Sequence, residues 1–258
     1  MKISNLLKKE QISNRRTAIL KFLFNIYYLL SGFHAGDFIR SRNVMRKIKV
    51  KSGEKVFDAG CGVGLYSLRI AYNGAQVVGG DLLPLFKYSL LFGDAKLTKR
   101  LNFIIMDLNY TPIKSESFDK ILCVDVLEHI PNDKKVIAEF SRILKKNGEI
   151  LIHVPNLKRY ARLKNSAKAK QMSLEKLYGH FRHGYTLNQL STLLKENNID
   201  VCDYTYTFGF WAYVTGRISA KFKDSTIIFP FLFFLSLIDK PSKFNEYNGG
   251  ILIIGKRN

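Results

Sequence analysis

The stretch V-F-D-A-G-C-G-V-G at residues 56–64 decides the fold. An apolar run ends in the acidic Asp58, and three alternating glycines lead into an amphipathic segment. This pattern predicts a buried strand turning tightly into a helix, because glycine accepts positive φ and lets a ligand approach the backbone at the helix start. It is not a dinucleotide loop, whose third glycine would fall at Leu65, nor a P-loop, since no Lys-Ser/Thr pair follows. A carboxylate at the base of the loop favours a cationic ligand over a phosphate.

Three later stretches repeat the pattern of an apolar strand that ends in an acidic residue. V-V-G-G-D ends at Asp81, 21 residues after Gly60, and F-I-I-M-D-L carries Asp107. The third stretch, F-D-K-I-L-C-V-D-V-L-E-H-I, occupies residues 118–130. A carboxylate at a strand tip can accept hydrogen bonds from both hydroxyls of a ribose, because each hydroxyl donates and the carboxylate only accepts.

Taken in this order, the four stretches resemble the class I S-adenosylmethionine-dependent methyltransferases, and the fourth is close to the family's "FD…VLEH" signature. The resemblance covers roughly residues 40–208 and the last strand near 250–256. It implies S-adenosylmethionine as the cofactor, with Asp81 on the ribose and Asp107 on the adenine amino group. The cofactor contacts that it implies are Asp58, Gly60, Cys61, Gly62, Gly64, Asp81, Leu82, Asp107, Leu108 and Val124.

Strand and helix patterns alternate along the chain, which predicts an α/β fold: a Rossmann-like, doubly wound, seven-stranded sheet with an antiparallel C-terminal strand pair. That pair is expected at 201–208 and 250–255. A basic helical cap would occupy residues 1–50, and the methyltransferase domain residues 51–258, with an apolar insertion at 209–248. The remaining strands are expected near 55–59, 76–81, 102–106, 119–125 and 149–154, and the helices near 64–73, 84–92, 133–145 and 187–197.

The formal net charge of +20 implies an acidic partner, either nucleic acid or an anionic membrane surface. A general bias toward lysine is the simpler alternative. Residues 1–55 hold 13 Lys or Arg against 3 acids, and residues 157–176 hold seven against one, so the excess lies outside the strands. Three widely spaced cysteines indicate no disulfide framework, which favours a cytoplasmic protein.

Two apolar segments, 18–30 and 227–238, are each too short to span a bilayer and are flanked by Lys and Arg. Segments of this kind predict peripheral membrane contact, which would place the protein at the inner face of the membrane. The segment at 227–238 could instead cover another surface of the chain or of a dimer, or close over the substrate as a lid.

Histidines near the strand ends are candidates for a general base, namely His129 and His153. The spacing Asp125-x-x-Glu128-His129 also resembles the metal triad of some quinone-pathway and small-RNA methyltransferases, but the same letters occur in metal-free relatives, and we predict no metal. A basic, aromatic cluster further along suits an anionic group of the substrate. Its members are His180, Arg182, His183 and Tyr185.

These observations predict methyl transfer to a membrane-associated small molecule or lipid-linked intermediate. A second hypothesis is an RNA or protein methyltransferase. It is less favoured, and so is nucleic acid as a partner, because methylation of a planar nitrogen would call for an Asn/Asp-Pro-Pro-Tyr element after the fourth strand. The sequence there is Asp125-Val126-Leu127-Glu128. A third hypothesis is a membrane-bound scaffold of the same fold without catalytic activity.

Overall fold

The computed structural model describes residues 35–86, 99–159, 180–222 and 229–258. Expectations for the remaining residues lie outside this range, including the apolar segment 18–30, most of the helix expected at 84–92 and most of the basic segment 157–176.

One seven-stranded sheet organises the chain, in the order β3-β2-β1-β4-β5-β7-β6. The pairs among β1 to β5 are parallel, whereas β7 runs antiparallel to both β5 and β6, so β6 points the same way as β5. This is the predicted doubly wound sheet with its reversed last strand. The strands are β1 Lys55–Ala59, β2 Gln76–Asp81, β3 Leu101–Ile105, β4 Phe118–Val124, β5 Leu144–Pro155, β6 Ile199–Thr207 and β7 Gly250–Arg257.

Helices connect and flank these strands. The polar Thr186 begins one of them through a reciprocal capping box with Gln189, as its position in the sequence predicts. The helices of the described residues are α1 Ala35–Lys47, α2 Leu65–Tyr72, α3 Asp133–Ile143, α4 Leu187–Lys195, α5 Phe210–Phe222 and α6 Phe229–Ile238, with 3-10 turns at Pro84–Phe86 and Leu127–His129.

Apolar side chains on the two faces of the sheet form two cores, because successive strand residues point to opposite sides. On one face, Phe57 packs with Phe140 of α3. On the other face, Val56 joins Val44 of α1 and Ile70 of α2. Helix α1 therefore belongs to the folded body of the domain, although it lies within the predicted cap.

The insertion between β6 and β7 contains the helices α5 and α6, and α6 covers most of the predicted apolar segment 227–238. Both helices pack on each other and on α1. Among the described residues, no helix combines the length and the apolar character that a membrane span needs.

Candidate functional site

The glycine loop joins β1 to α2 in the predicted conformation. Gly60 has φ 70° and its amide donates to the Gly80 carbonyl at 2.8 Å. A Cβ on Gly60 would lie 2.3 Å from the Val126 side chain, so this glycine allows close packing inside the protein. A Cβ on Gly62, at φ 51°, would meet nothing within 4 Å. The loop thus presents open space at Gly62, where a ligand can approach the backbone.

Asp81 ends β2 directly beside this open space. Its carboxylate accepts hydrogen bonds from the amides of Gly62, at 2.8 Å, and Leu83, at 3.0 Å. Each oxygen retains a further lone pair, and the residue is half-buried, so the carboxylate can still accept hydroxyl protons. Leu82 and Ile105 expose apolar side chains beside it, at the ends of adjoining strands. A half-open carboxylate next to exposed apolar side chains fits the ribose and base of a nucleoside.

The other predicted cofactor residues divide between surface and interior. Asp107 is exposed, and its carboxylate accepts from the amide and side chain of Asn109 at 2.8 and 2.9 Å. Asp58 is buried and accepts from the Ser67 hydroxyl at 2.6 Å. Burial raises the pKa of Asp58 to about 6. Leu108 lies in the core, so its side chain serves packing and does not line an open site.

A buried polar chain links three strands to α1 at the carboxyl ends of the strands. Arg40 of α1 donates to Asp125, whose other oxygen contacts His153 Nδ1 at 2.5 Å. His153 Nε2 lies 2.9 Å from the Thr207 hydroxyl. Burial alone would raise the pKa of Asp125, but the contacts with His153 and Arg40 hold it at about 2. Asp125 also has φ 51°, a strained backbone for a non-glycine residue.

Because both ring nitrogens of His153 have partners within the protein and its side chain is 1% exposed, the geometry favours a structural role for it. Of the two histidines predicted as a general base, His129 is then the remaining candidate.

Glu128, His129 and His180 form a second polar cluster beside that chain. One ligand atom from each lies within 4.8 Å of the other two, and the two imidazole rings meet edge to face at 4.4 Å. The Glu128 side chain is 1% exposed, and its Oε2 has no hydrogen-bond partner. Burial and the charge of Asp125 raise the pKa of Glu128 to about 8. Burial and His129 lower the pKa of His180, which favours its neutral form.

The loop that brings His180 to Glu128 is held by Arg182 and Tyr185. The Glu128 carbonyl accepts from the amides of Phe181 and Arg182. The guanidinium of Arg182 binds the carboxylate of Asp133, which also accepts from the Tyr185 hydroxyl at 2.8 Å. The polar groups of Arg182 and Tyr185 therefore hold the loop in place. The substrate contact predicted for these two residues would need the same groups to be available to a ligand.

The structure brings the glycine loop, Asp81, Val124 and His129 to one end of the sheet, as the sequence predicts. We call this end, where β1, β2, β4 and β5 finish, the carboxyl edge. Sequence reasoning missed Arg40 and Thr207, which come from a helix and a strand far along the chain. No local motif marks either residue, so only the tertiary contacts reveal them.

A parallel sheet with a reversed last strand, a glycine loop and acidic strand tips at one edge together define the class I methyltransferase fold. Residues 57–152 match the family described as a methyltransferase domain. Over these residues the chain is therefore similar to the methyltransferase domain family, in agreement with the strand order and the glycine loop.

Curated relatives match over the same part of the chain. A ubiquinone biosynthesis O-methyltransferase from Xanthomonas oryzae pv. oryzae is 31% identical over 125 residues, which cover 48% of this chain and 52% of that protein. The enzyme of the same name from Dechloromonas aromatica is 34% identical over 109 residues, covering 41% and 46%. The chain thus spans about half the length of the curated relatives it matches.

Solved structures agree in fold over most of the chain. An S-adenosylmethionine-dependent methyltransferase from Mesorhizobium loti superposes with a TM-score of 0.62 at 15% identity, over 85% of this chain and 98% of that one. An N-methyltransferase from Haemonchus contortus, in complex with phosphomonomethylethanolamine and S-adenosylhomocysteine, gives a TM-score of 0.58 at 18% identity over 92% and 59%. At these identities the likeness concerns the fold alone.

Proposed function

We propose that this protein transfers a methyl group from S-adenosylmethionine to a membrane-associated small molecule or lipid-linked intermediate. The observation that carries the proposal is the position of the insertion 209–248. It leaves the sheet where β6 ends, and because β6 runs parallel to β5, this point lies at the carboxyl edge. An apolar surface beside the cofactor end of the sheet suits an amphiphilic substrate.

Specific contacts hold the insertion in this position. The Asp239 carboxylate accepts from the amides of Gly209 and Ala212 at 3.2 and 3.0 Å, which joins the end of α6 to the start of α5. Arg42 of α1 donates to the Leu237 carbonyl at 2.7 Å. The ring of Phe208 packs edge to face on His153 at 5.7 Å. The insertion is thus a built part of the domain beside the polar chain.

The insertion exposes large apolar side chains that nothing in the described chain covers. Phe231 and Phe234 on α6 are 54% and 60% exposed. Exposed lysines follow the end of α6, among them Lys240 and Lys243. Aromatic side chains with neighbouring cations are typical of proteins that rest on a membrane surface. The other exposed apolar residues of the insertion are Phe210, Trp211, Tyr213, Leu237, Phe244 and Tyr247.

Methyl transfer is an in-line displacement at carbon, so most of its catalysis is positioning. In this proposal the glycine loop, Asp81 and Asp107 hold the cofactor, with Leu82 and Val124 beside it. His129 accepts the proton of an acceptor hydroxyl, and His180 and His183 contact the substrate. When bound, the cofactor supplies an electrophilic methyl group, and the residues of this chain orient the acceptor toward it.

The buried cluster also fits a divalent cation. Within the described residues, one buried carboxyl oxygen of Glu128 has no hydrogen-bond partner, and the pKa of Glu128 is raised to about 8. A bound cation would lower this pKa, because it favours the ionised carboxylate. In that alternative, Glu128, His129 and His180 would hold the ion, which would lower the pKa of an acceptor hydroxyl in place of proton transfer to His129. This set differs from the spacing Asp125-x-x-Glu128-His129, because Asp125 is engaged by Arg40 and His153.

Transfer of a labelled methyl group tests the substrate class. S-Adenosylmethionine labelled in the methyl group is incubated with the protein and either a lipid extract or an aqueous metabolite extract. We expect label in the lipid extract, and incorporation into the aqueous fraction alone would contradict the proposal. No incorporation into either, despite cofactor binding in calorimetry, would favour the scaffold hypothesis.

Vesicle flotation tests the apolar surface separately from catalysis. The double variant Phe231→Ser/Phe234→Ser should lose about tenfold or more in binding to vesicles, since each buried aromatic contributes on the order of 1 kcal/mol or more. The control Tyr72→Ser/Tyr110→Ser removes two aromatics that lie away from the insertion and are more exposed than Phe231 and Phe234, and it should bind like the wild type. Equal losses in both variants would contradict a specific contact by α6.

A further inference from the structure

We propose that a basic groove at the opposite end of the sheet binds a phosphate-bearing ligand. This groove has a volume of about 760 Å³ and lies where β1, β4 and β5 begin and β7 ends. A volume in this range is typical of pockets for small molecules. Its charged lining consists of Arg46, Lys47, Lys49, Lys51, Lys120, Lys145, Lys146 and Lys256, with Glu54, Asp119, Glu149 and Asp203.

The cations of the basic groove lie away from the carboxyl edge, although Thr205 and Pro241 extend its wall toward the insertion. Glu54 precedes β1 and Gly60 follows it, so the length of that strand separates groove and glycine loop, about 13 Å for four steps of roughly 3.3 Å each. The residues predicted to contact the cofactor do not line the groove. A ligand there would occupy a second site of the protein, whatever the carboxyl edge binds.

The acidic residues of the groove are already paired. Asp203 accepts from Lys47 at 2.6 Å, and Asp119 accepts from Lys145 at 2.6 Å. Lys120 pairs with Glu149 and lies 4.0 Å from Glu54. Five cations of the lining have no salt bridge among the described residues, and they supply the uncompensated charge of the groove. They are Arg46, Lys49, Lys51, Lys146 and Lys256.

A buried amide in the wall of the groove gives a second, independent indication of a ligand. Asn43 of α1 lines the groove and is 2% exposed. Among the described residues, neither its Nδ2 nor its Oδ1 has a hydrogen-bond partner. An unsatisfied buried amide costs stability and is rare in folded proteins, so it calls for a partner that the described part of the chain does not supply.

The chemistry of this lining selects a multiply charged oxyanion. Lysine binds phosphate as a compact point charge, and several lysines around one concave surface suit a group with more than one negative charge. A single carboxylate would leave most of these cations unpaired. The ligand class is therefore a phosphate-bearing molecule, either free in solution or presented as the headgroup of a lipid.

Calorimetric titration with inorganic pyrophosphate tests the groove directly. The wild type should bind at one site, and the variant Lys49→Gln/Lys146→Gln/Lys256→Gln should bind about tenfold or more weakly, because each of these lysines can donate a charge-assisted hydrogen bond to the phosphate oxygens. The control Lys99→Gln/Lys114→Gln/Lys195→Gln removes the same charge from exposed positions outside the groove and should bind within about twofold of the wild type. Equal weakening in both variants would overturn the proposal in favour of diffuse attraction.

The variant Asn43→Ala separates ligand binding from folding. It removes a buried polar group without a partner, so the protein without ligand should melt at the same temperature or higher. The rise in melting temperature caused by pyrophosphate should shrink by at least half. An unchanged rise would overturn a role for Asn43, and with it the independent support for the site.

Two further titrations identify the source of the phosphate. Binding to phosphatidylglycerol vesicles that the triple Lys→Gln variant loses, and that pyrophosphate displaces, would assign the groove to a lipid headgroup. Pyrophosphate binding without such vesicle binding would assign it to a soluble ligand. The proposal would be overturned if the protein bound an RNA oligonucleotide that pyrophosphate does not displace and did not bind pyrophosphate at all. All these measurements omit S-adenosylmethionine, so they are independent of methyl transfer.

Discussion

The two ends of the parallel sheet carry opposite kinds of polar side chain. The carboxyl edge collects acids and histidines, and its cations Arg40 and Arg182 are engaged by Asp125 and Asp133. The amino ends of the same strands collect lysines, several of which form no salt bridge within the described part of the chain. This difference shows that the net charge of +20 is not spread evenly over the protein, and that the positive excess does not lie at the carboxyl edge. A sulfonium nucleoside suits the acidic end, and a phosphate suits the basic end.

The largest effect expected from this comparison is a loss of cofactor affinity when the single acidic residue Asp81 is changed. Asp81→Asn removes the acceptor that we assign to both ribose hydroxyls. Two hydrogen bonds to a charged group, at about 1.5–3 kcal/mol each, predict a loss of about a hundredfold or more in affinity for S-adenosylmethionine. Calorimetry measures it, and Asp200→Asn, an exposed aspartate at the start of β6, serves as the control. Wild-type affinity in Asp81→Asn would place the cofactor elsewhere.

The next effect concerns how the carboxyl edge is held together. Arg40→Gln leaves Asp125 with His153 as its main partner and should cost about 3 kcal/mol in the free energy of unfolding at pH 7. The folded-state pKa of Asp125, about 2, lies below its ordinary value of 3.8, so its contribution is present above pH 4 and is lost as pH falls toward 2. The difference between variant and wild type should therefore close on acidification.

Denaturant titrations at pH 7 and pH 3 measure this closing gap. The exposed Arg69→Gln, on α2, is the matched control and should change stability by less than about 0.5 kcal/mol. A constant gap across the two pH values would show that Arg40 acts by packing and not by charge.

Sequence patterns predicted the strands, their order along the chain and the acidic tips, because each depends on local alternation and turn chemistry. The predicted strand at 55–59 coincides with β1, and those at 76–81 and 250–255 fall on β2 and β7. The same logic could not find Arg40, whose partner Asp125 lies 85 residues away. Contacts of this range depend on how helices dock, and no local pattern encodes them.

A third, smaller effect uses the pH dependence of stability. The pKa of Glu128 is about 8 in the folded protein and 4.5 ordinarily, so the folded state keeps a proton that the unfolded state releases. Wild-type stability should fall as pH rises from about 4.5 to about 8 and level off above 8, and Glu128→Gln should remove that fall, a relative gain of about 2.5 kcal/mol between pH 6 and 9. Thermal unfolding with a chelator present measures it.

Adding a divalent cation to the same experiment sharpens it. If Glu128, His129 and His180 bind Zn²⁺ or Mn²⁺, the metal should raise the melting temperature of the wild type but not of Glu128→Gln. An equal response in both proteins would remove the metal from this cluster. Parallel pH profiles for the two proteins would instead contradict the raised pKa of Glu128.

Residue types alone do not show which side chains already have partners within the fold. His153 and Arg182 have the chemistry of a general base and an anion binder, yet the fold pairs both inside the protein. Their neighbours in sequence do not signal this pairing, because Thr207 and Asp133 come from other elements. The glycine loop could be read from the sequence because backbone conformation is a local property, whereas the availability of a side chain is not.

The smallest expected effect distinguishes the two ends most directly. At the carboxyl edge, Arg40 and Arg182 are paired with carboxylates, and their removal should destabilise the fold. The lysines without salt bridges in the basic groove should contribute nothing to stability, since they gain no partner on folding and repel one another. Lys49→Gln/Lys146→Gln/Lys256→Gln should therefore leave the free energy of unfolding within about 0.5 kcal/mol of the wild type, or raise it slightly at low salt. Denaturant titration at two salt concentrations measures this, and a loss above about 1 kcal/mol would mean that these lysines support the fold and are not held ready for a ligand.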